Sequence, residues 1–154
     1  MVTVKKNNIL KELLSEKRKS NPEITIGFVP TMGALHKGHL SLMERAAKEN
    51  DLTVCSIFIN PLQFNNKEDF NRYPRLIDRD LELINNYCNI VFIPEAEEIL
   101  SDKNIPVYDL GGLDKYMEGI YRPGHFQGVA HIVRLFFDLI NPSRAYFGQK
   151  DFQQ

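Results

Sequence analysis

The sequence predicts an α/β protein with a doubly wound parallel sheet, and three observations support this fold class. Strand-like and helix-like segments alternate along the chain. The segment 52–59 is apolar at nearly every position, as in strands that helices cover on both faces. A loop with two glycines lies between the first clear strand and the next helix, where sheets of this type bind ligands.

The chain opens with an amphipathic helix, in which apolar residues recur at helical spacing among lysines and glutamates. Its apolar positions are Ile9, Leu10, Leu13 and Leu14. We expect the helix to end before Pro22, because proline and the residue before it disfavour helical backbone. A β-rich run follows at 24–29 and is closed by Pro30, which leads into the glycine-containing loop.

The same order of strand and helix then repeats. The helix after the loop should bury one face, formed by Leu40, Met43 and Ala47. The apolar strand 52–59 precedes another helix, whose apolar positions are Ile77, Leu81 and Ile84. A third strand is predicted at 90–93, a long apolar helix at 129–140 and a short last strand at 145–147. The stretch between the third strand and the long helix is less regular.

Composition and organisation predict one folded domain over residues 1–154. Hydrophobic residues make up 43% of the chain and charged residues 25%, which is typical of a packed globular protein. No repeat, low-complexity tract or flexible linker divides it. Residues 150–154 are similar to the first turn of a further helix, so we expect a truncated or split chain.

Cellular location and broad partners are also constrained by the sequence. The N-terminus lacks the apolar core of a secretory signal, and no window approaches membrane-spanning length, so we expect a cytoplasmic protein without a membrane partner. A net charge of −1 gives no general footprint for nucleic acid. The two cysteines, Cys55 and Cys88, lie in or beside apolar segments and predict buried reduced thiols.

The most informative segment is PTMGALHKGH at 30–39. Free backbone N–H groups and the helix dipole at a helix N-terminus favour an anion, and phosphate is the expected ligand. Gly33 and Gly38 would let the backbone approach a phosphate closely. His36 and His39 would add donors and, when protonated, positive charge.

This loop differs from the commoner phosphate loops. It lacks G-x-G-x-x-G, and His39 and Leu40 stand where a Walker A loop needs Lys and Ser/Thr. Two histidines on either side of a lysine and a glycine supply only half of a zinc site, so no metal site is predicted from protein residues alone. The residues of this loop by themselves leave open both a nucleotide site and a pair of ordinary loop histidines.

Four further segments extend the match along the chain: SIFINPLQF at 56–64, YPR at 73–75, RPGHFQGV at 122–129 and FGQKDFQQ at 147–154. Together with 30–39 they resemble, in order, the pantoate–β-alanine ligases (pantothenate synthetases). This family belongs to the H-x-G-H nucleotidyltransferase superfamily, which includes class I aminoacyl-tRNA synthetases. The resemblance implies a Rossmann-like domain and ATP-dependent joining of pantoate to β-alanine through a pantoyl adenylate, with release of AMP and pyrophosphate. Mg²⁺ should accompany the ATP.

The resemblance also implies a role for each matching position. His36 and His39 would be catalytic residues on the phosphates, with His39 as proton donor. ATP would be bound by Met32, Gly33, Ala34, Leu35, His36, Lys37, Gly38, His39, Gly148, Gln149, Lys150 and Asp151. Pantoate and β-alanine would be bound by Gln63, Gln154, Asn60, Arg122 and His125. In this scheme Lys150 meets phosphate charge, Asp151 meets a ribose hydroxyl, and the loop of Arg122 closes over the substrates.

Several alternatives accompany this interpretation. Without the resemblance, Asn60-Pro61 fits a plain turn, Arg122-Pro123-Gly124 a plain loop and Lys150-Asp151 a solvated helix start. Gln149 replaces a glutamate that is common in the family. The family's second domain, with its Ser-Ser-Arg segment, has no counterpart in these residues, so we expect poor activity from this chain alone.

The resemblance further implies a homodimer. The rival functions are another H-x-G-H nucleotidyltransferase that makes a nucleotide cofactor, and a noncatalytic nucleotide-binding module.

Overall fold

A five-stranded parallel sheet forms the centre of the computed structural model, which describes residues 1–101 and 106–153. The strands are β1 (Val2–Val4), β2 (Ile26–Thr31), β3 (Leu52–Ile57), β4 (Ile90–Phe92) and β5 (Arg144–Ala145). They lie in the order β1-β4-β3-β2-β5, and each neighbouring pair is parallel. The predicted α/β class with a parallel sheet is confirmed.

Helices cover both faces of this sheet. They are α1 (Asn7–Ser20), α2 (Lys37–Glu49), α3 (Lys67–Arg72), α4 (Ile77–Ile84), α5 (Ala96–Ile99), α6 (Glu118–Tyr121) and α7 (His125–Ile140). Short 3₁₀ turns span Pro61–Gln63, Leu113–Lys115 and Gln149–Asp151. Of the described helices, none is long and apolar enough to cross a membrane.

Two apolar cores lie on opposite faces of the sheet. In β2, Phe28 packs into the core with α1 and α7, whereas Val29 packs into the core with α2 and α4. Val54 and Cys55 of β3 divide between the cores in the same way. Successive side chains of a strand point to opposite faces, so strands covered on both sides need apolar residues at successive positions. The apolar run in the sequence therefore reflects a central strand.

The strand order reverses beside β2. Strands β2, β3 and β4 step across the sheet in one direction, and β5 returns to pair with the other edge of β2 at Gly27 and Phe28. Connections that leave a sheet in opposite directions open a crevice at the carboxyl ends of the strands. The carboxyl ends of β2 and β5 lead into the glycine-containing loop and the turn Gln149–Asp151. The topology thereby brings two distant segments of the chain to one crevice.

Several predicted boundaries and one predicted core residue were wrong. The long helix begins at His125 rather than at 129, β3 ends at Ile57, and the last strand is shorter than expected. Ala46 is buried in α2, whereas Ala47 is exposed. The reason is helical spacing: Ala46 lies three residues after the buried Met43 and shares its face, and Ala47 turns toward solvent.

Pro30 does not end the strand, because β2 continues to Thr31. The Phe28 carbonyl accepts from Tyr146 on the β5 side, whereas the Thr31 carbonyl accepts from Phe58 on the β3 side. Alternation along the strand places Pro30 on the β5 side, beyond Ala145 where β5 ends. Its missing N–H therefore removes no hydrogen bond from the sheet.

The short elements β1, α3, α5 and α6 were not predicted, because three to six residues carry too little periodicity. Both cysteines are free and buried, as predicted. They lie in the core shared with α2 and α4. A hydrogen bond with Cys88 and burial raise the pKa of the Cys55 thiol well above its ordinary value, so this thiol is neutral near pH 7.

Candidate active site

A cleft of about 730 Å³ opens at the carboxyl ends of β2, β3 and β5. Most of its lining comes from four segments that are distant in sequence, 30–42, 56–64, 122–136 and 147–151. Its volume lies in the range of small-molecule and cofactor pockets. The segments that were singled out from the sequence therefore converge on one cavity.

The loop between β2 and α2 has an unusual backbone. Gly33 and Ala34 have φ angles of +81° and +52°, so two consecutive residues are left-handed. Glycine adopts this conformation readily, but alanine does so only under external constraint. The Thr31 hydroxyl supplies one constraint, since it accepts from the Gly33 N–H at 3.2 Å and donates to the Ser56 carbonyl at 2.8 Å.

Asp80 of α4 supplies the next two constraints. Its carboxylate oxygens accept from the backbone N–H groups of Ala34 and Leu35, both at 2.8 Å. The Asp80 side chain is buried, with only 1% of the residue exposed. A buried carboxylate requires such partners, because desolvation of an unpaired charge is strongly unfavourable. The β2–α2 loop is therefore held by hydrogen bonds to a buried residue of α4.

His36 and His39 cap the N-terminus of α2 reciprocally. Nδ1 of His36 accepts from the Gly38 N–H at 3.1 Å, and Nδ1 of His39 accepts from the His36 N–H at 3.3 Å. The ring centroids are 4.1 Å apart. A ring nitrogen that accepts a hydrogen bond carries no proton, so each neutral ring has its proton on Nε2. Each histidine thus takes a backbone N–H at one nitrogen and offers an N–H from the other.

Electrostatics favour the neutral form of His39. Burial is the largest effect lowering its pKa below the ordinary 6.5, and the neighbouring His36 and Lys150 lower it further. Asp151 and Asp80 oppose this shift without reversing it. The positive charge that protonation would add is therefore disfavoured at His39. His39 is better described as a neutral Nε2–H donor at the edge of the cleft.

The expectation of free backbone N–H groups at the start of α2 also needs correction. The N–H groups of Gly33, Ala34, Leu35, His36 and Gly38 all donate to protein side chains. The histidine side chains intercept the N–H groups that would have met a ligand. Donors to an anion at this position are consequently the imidazoles rather than most of the loop backbone.

The opposite side of the cleft is formed by the turn Gln149–Asp151. Lys150 Nζ lies 2.6 Å from Asp151 Oδ1, and the lysine is largely exposed. An exposed ion pair contributes little to stability, because solvent screens it. The ammonium group is therefore available to exchange this carboxylate for a more highly charged ligand.

Asn60 has a positioning role that the sequence did not indicate. It is 2% exposed, and its Oδ1 accepts from the Leu62 N–H at 3.0 Å. Its Nδ2 donates to Gln63 Oε1 at 3.2 Å and to the Gly128 carbonyl at 3.0 Å. Both amide hydrogens are therefore committed to the protein. Asn60 thereby helps to hold the Gln63 side chain. The contact with substrate that the resemblance implies for Asn60 stays a prediction.

Gln63 is held by its backbone and leaves its side chain weakly bound. Its carbonyl accepts from Arg122 Nη2 at 3.3 Å and from His125 Nδ1 at 2.9 Å. A carbonyl only accepts, so His125 carries its proton on Nδ1, and burial is the main cause that lowers the His125 pKa. The Gln63 amide donates to Met32 Sδ at 2.7 Å, and a thioether is a weak acceptor that a ligand can displace.

Arg122 and His125 were expected in a loop that closes over substrates. In the structure α7 begins at His125, and both side chains bond the Gln63 backbone. A Cβ placed on Gly128 would lie 2.5 Å from the Leu62 carbonyl oxygen. The turn Pro61–Gln63 is therefore in direct contact with α7. Closure of the Arg122 loop over substrates stays a prediction.

The structure brings most of the predicted residues to the cleft. Those that line it are Met32, Gly33, Ala34, His36, Gly38, His39, Asn60, Gln63, Arg122, His125, Gly148, Gln149, Lys150 and Asp151. Leu35 and Lys37, both within the described range, do not line it. Leu35 is 2% exposed in the core with α2 and α4, and Lys37 is exposed in the first turn of α2. Gln154 lies outside the described residues, so its pairing with Gln63 stays a prediction.

Sequence reasoning missed Asp80, Thr31 and an apolar wall. That wall comprises Phe58, Val129, Ile132, Val133 and Phe136. A signal for Asp80 existed, because it shares the apolar row of α4 with Ile77 and Ile84 at helical spacing. A carboxylate in such a row predicts a buried, hydrogen-bonded charge. No comparable signal shows which turns of an apolar helix border a cavity.

A parallel doubly wound sheet, a histidine pair capping the helix after β2 and a lysine across the cleft are features of the H-x-G-H nucleotidyltransferase type of fold. The model of the pantoate-beta-alanine ligase family matches residues 2–154. The chain belongs to this family.

Named relatives agree with this assignment. The pantothenate synthetase of Cytophaga hutchinsonii is 51% identical over 143 residues, which cover 92% of this chain and 50% of the relative. The solved pantothenate synthetase of Thermus thermophilus superposes with a TM-score of 0.89 at 45% identity, covering 99% of this chain and 54% of that one. The chain spans about half the length of the curated relatives it matches.

A third relative is the pantoate-beta-alanine ligase of Francisella tularensis, solved in complex with beta-gamma ATP and beta-alanine. It superposes with a TM-score of 0.93 at 35% identity. The match covers 100% of this chain and 59% of that one.

Proposed function

We propose that this chain, as one domain over residues 1–154, forms the nucleotide-binding half of the active site of an ATP-dependent pantoate–β-alanine ligase. The pantoate carboxylate attacks the α-phosphorus of ATP, pyrophosphate leaves, and the amine of β-alanine then displaces AMP from the pantoyl adenylate. The observation that carries this proposal is the convergence of His36, His39, Lys150 and Gln63 on a single cleft. Family membership supports the same reaction.

On the nucleotide side, His36 and His39 would direct Nε2–H groups at the phosphates. Donors fixed where negative charge develops stabilise the transition state without reorganising during the reaction. Lys150 would leave Asp151 for the phosphates, which frees Asp151 to accept from a ribose hydroxyl. Gly148 and Gln149 would complete this wall. In this scheme His39 acts as a neutral donor, in keeping with its lowered pKa.

On the acid side, Gln63 would bind pantoate, with Gln154 as its partner. A neutral amide suits a carboxylate that must attack, because a salt bridge would stabilise the ground state of the nucleophile. The apolar wall that includes Phe58 and Val129 suits the aliphatic part of such an acid. Asn60, Arg122 and His125 would act by fixing Gln63.

We also propose that Mg²⁺ arrives with ATP. The described residues contain no group of three or more His, Cys, Asp or Glu side chains placed to hold a metal ion. Of the nearby carboxylates, Asp151 pairs with Lys150, and both Asp80 oxygens accept backbone N–H groups. Because these carboxylates already have protein partners, the site fits a Mg²⁺ ion that phosphate oxygens and water mainly coordinate. When bound, the ion neutralises charge on the leaving pyrophosphate.

We also propose a cytoplasmic location and a homodimer. Sedimentation analysis of the purified protein tests the dimer: a single monomeric species at micromolar concentration would contradict it.

Isothermal titration of this chain with Mg-ATP and, separately, with pantoate tests the core of the proposal. We expect both to bind. A nucleotidyltransferase that makes a nucleotide cofactor would bind ATP but not pantoate, and a noncatalytic module would not require pantoate either. His39→Ala and Gln63→Ala serve as matched controls. Gln63→Ala should weaken pantoate binding and leave ATP affinity nearly unchanged, whereas His39→Ala should leave pantoate affinity nearly unchanged.

Turnover is measured as pyrophosphate release with ATP, Mg²⁺ and pantoate. We expect several orders of magnitude less from residues 1–154 alone than from a full-length relative, because the resemblance implies further phosphate donors, on a Ser-Ser-Arg segment, that these residues do not supply. Addition of a separately expressed C-terminal domain should restore part of the release. Near-normal release from residues 1–154 alone would contradict the need for those further donors.

A further inference from the structure

The feature that carries a further inference is the buried carboxylate of Asp80. The helix α4, which the structure describes in full, contributes no residue to the lining of the cleft. Nevertheless, both carboxylate oxygens of Asp80 accept hydrogen bonds from the loop that leads to the capping histidines. The donors are the backbone N–H groups of Ala34 and Leu35. Ionised carboxylates make the stronger class of hydrogen bond to backbone N–H groups. These two bonds are therefore the firmest link between α4 and the loop.

The loop needs such a link because its backbone is strained. Ala34 has a φ angle of +52°, which an L-residue adopts only when surrounding structure imposes it. Asp80 bonds the N–H of this residue and that of the next one. It also approaches Gly33 so closely that a Cβ there would lie 3.0 Å from Oδ2. The two left-handed residues, Gly33 and Ala34, therefore pack directly against the Asp80 carboxylate.

The constraint is passed directly to the histidines. Leu35 immediately precedes His36, whose backbone N–H must meet His39 Nδ1 for the reciprocal cap to form. A rotation of the peptide groups at Ala34 or Leu35 would move that N–H away from the ring. The His39 ring would then lose the hydrogen bond that fixes its orientation and its Nε2–H tautomer. His36, whose own ring accepts from the Gly38 N–H, would be displaced with its backbone.

Charge attraction does not explain why a carboxylate lies here. A negative group beneath a phosphate site repels the ligand. This repulsion must be outweighed by a favourable effect of Asp80 on the structure of the loop. We propose that Asp80 is a positioning residue that sets the β2–α2 loop and thereby aims His36 and His39 at the phosphates of ATP. This inference rests on the proposed function for the identity of the ligand.

The test compares Asp80→Asn with Ile84→Val in this chain. Asparagine has nearly the same shape, but its amide presents a donor to one of the two N–H groups. Ile84→Val removes one methylene from the core on the same helix and serves as a stability control, since Ile84 is buried in the core with α2. Binding of Mg-ATP and of pantoate is titrated at a temperature where circular dichroism shows all three proteins folded. The ring signals of His36 and His39 are recorded by nitrogen-15 NMR.

We expect Asp80→Asn to weaken ATP binding by about tenfold or more, the loss that follows when buried donors are left unpaired. Pantoate affinity should stay within about twofold, because the bonds that hold Gln63 come from other elements. The histidine ring signals should lose the Nε2–H pattern. Ile84→Val should match the wild type in both affinities and in the ring signals.

The outcomes separate the two proposals. Equal ATP affinity for Asp80→Asn and Ile84→Val, with unchanged ring signals, would overturn the positioning role. Failure of the wild-type chain to bind ATP would sink the proposed function, while the ring signals would still report whether Asp80 orients the histidines. If Asp80→Asn does not fold, hydrogen exchange of the wild-type Ala34 and Leu35 amides decides. Slow exchange without ligand supports the role, and exchange as fast as in an exposed loop refutes it.

Discussion

The two walls of the cleft differ in how they are held. In the β2–α2 loop, backbone N–H groups are tied to Thr31, Asp80 and the capping histidines. On the other side, the C-terminal segment is held to the stretch before α6 mainly by Gln153, which bonds carbonyls of Leu113 and Tyr116. Large apolar residues stay exposed there, with Phe152 at 93% and Tyr121 at 81%.

This difference indicates a division of labour within the site. Regions with few buried contacts open at low free energy, whereas bonded and buried regions open only with the whole fold. The histidine wall is therefore preorganised before any ligand arrives. The turn that carries the exposed Lys150 is freer to adjust, which suits the proposed contact of this long, flexible side chain with phosphate charge.

The largest expected effect tests the preorganised wall directly. His39→Ala in a full-length protein should slow adenylate formation by about a hundredfold or more, the range seen when one transition-state donor is removed. Pantoate affinity should change little. Single-turnover kinetics with titrated substrate separate rate from binding, and equal losses in ground-state binding and in rate would place His39 in uniform substrate binding instead.

Thr31→Val should destabilise the fold by about 1 to 3 kcal/mol, because it leaves the buried Gly33 N–H without its acceptor and removes the hydroxyl that donates to the Ser56 carbonyl. The matched control in the other wall is Met117→Ser, since Met117 is exposed and should change stability by no more than about 0.5 kcal/mol. Urea unfolding measures both. Similar losses in the two variants would remove the contrast between the walls.

Gln63→Ala should weaken pantoate binding by about 1 to 3 kcal/mol, the range for leaving buried polar groups unpaired. ATP affinity should be nearly unchanged. Among the described residues, the hydrogen bond that joins the Gln63 side chain to the β2–α2 loop is the weak one to Met32 Sδ. Titration calorimetry checks both ligands. Wild-type pantoate affinity in this variant would remove Gln63 from the substrate site.

The smallest effect concerns pH. Burial first, and then His36 and Lys150, lower the pKa of His39 below the ordinary 6.5. The folded chain therefore binds this proton more weakly than the unfolded chain does. The associated stability is fully present above pH 6.5 and is lost as the pH falls from 6.5 toward the folded pKa.

NMR titration of His39 gives that pKa. Urea unfolding at about pH 7.5 and 5.5 gives the change in the free energy of unfolding with pH, which is compared between the wild type and His39→Gln. A midpoint above 6.5 for the His39 ring would contradict the lowered pKa. Since His39 is partly exposed, the change in stability should be small.

The sequence was sufficient for the α/β fold class, for the central strands and for the segments that meet at the cleft. Apolar periodicity reports burial directly, so β2, β3 and the helices after them were placed to within a few residues. It could not show that Pro30 lies on the side of β2 beyond the end of β5, because that depends on strand pairing. Short edge elements such as β1 depend on the same tertiary pairing.

Within the site, residue type and motif identified which segments converge but not which partner each side chain selects. The bonds of Asn60 to Gln63 and to the Gly128 carbonyl were not predicted, because one of these partners lies in a helix far away in sequence. Loop N–H groups were expected to be free, whereas histidine and aspartate side chains accept from them. Such choices depend on distances of a few tenths of an ångström that only the folded chain defines.

Gly128 has a consequence for anyone who wishes to alter the acid that the cleft accepts. The absence of a side chain at this position lets the Pro61–Gln63 turn lie directly on α7, with no gap into which the turn can retreat. Space for a bulkier acid cannot be gained on that side by truncation, since nothing remains to truncate. Redesign should start instead at Val129 and Val133, which border the cavity on the same helix and carry methyl groups that can be removed.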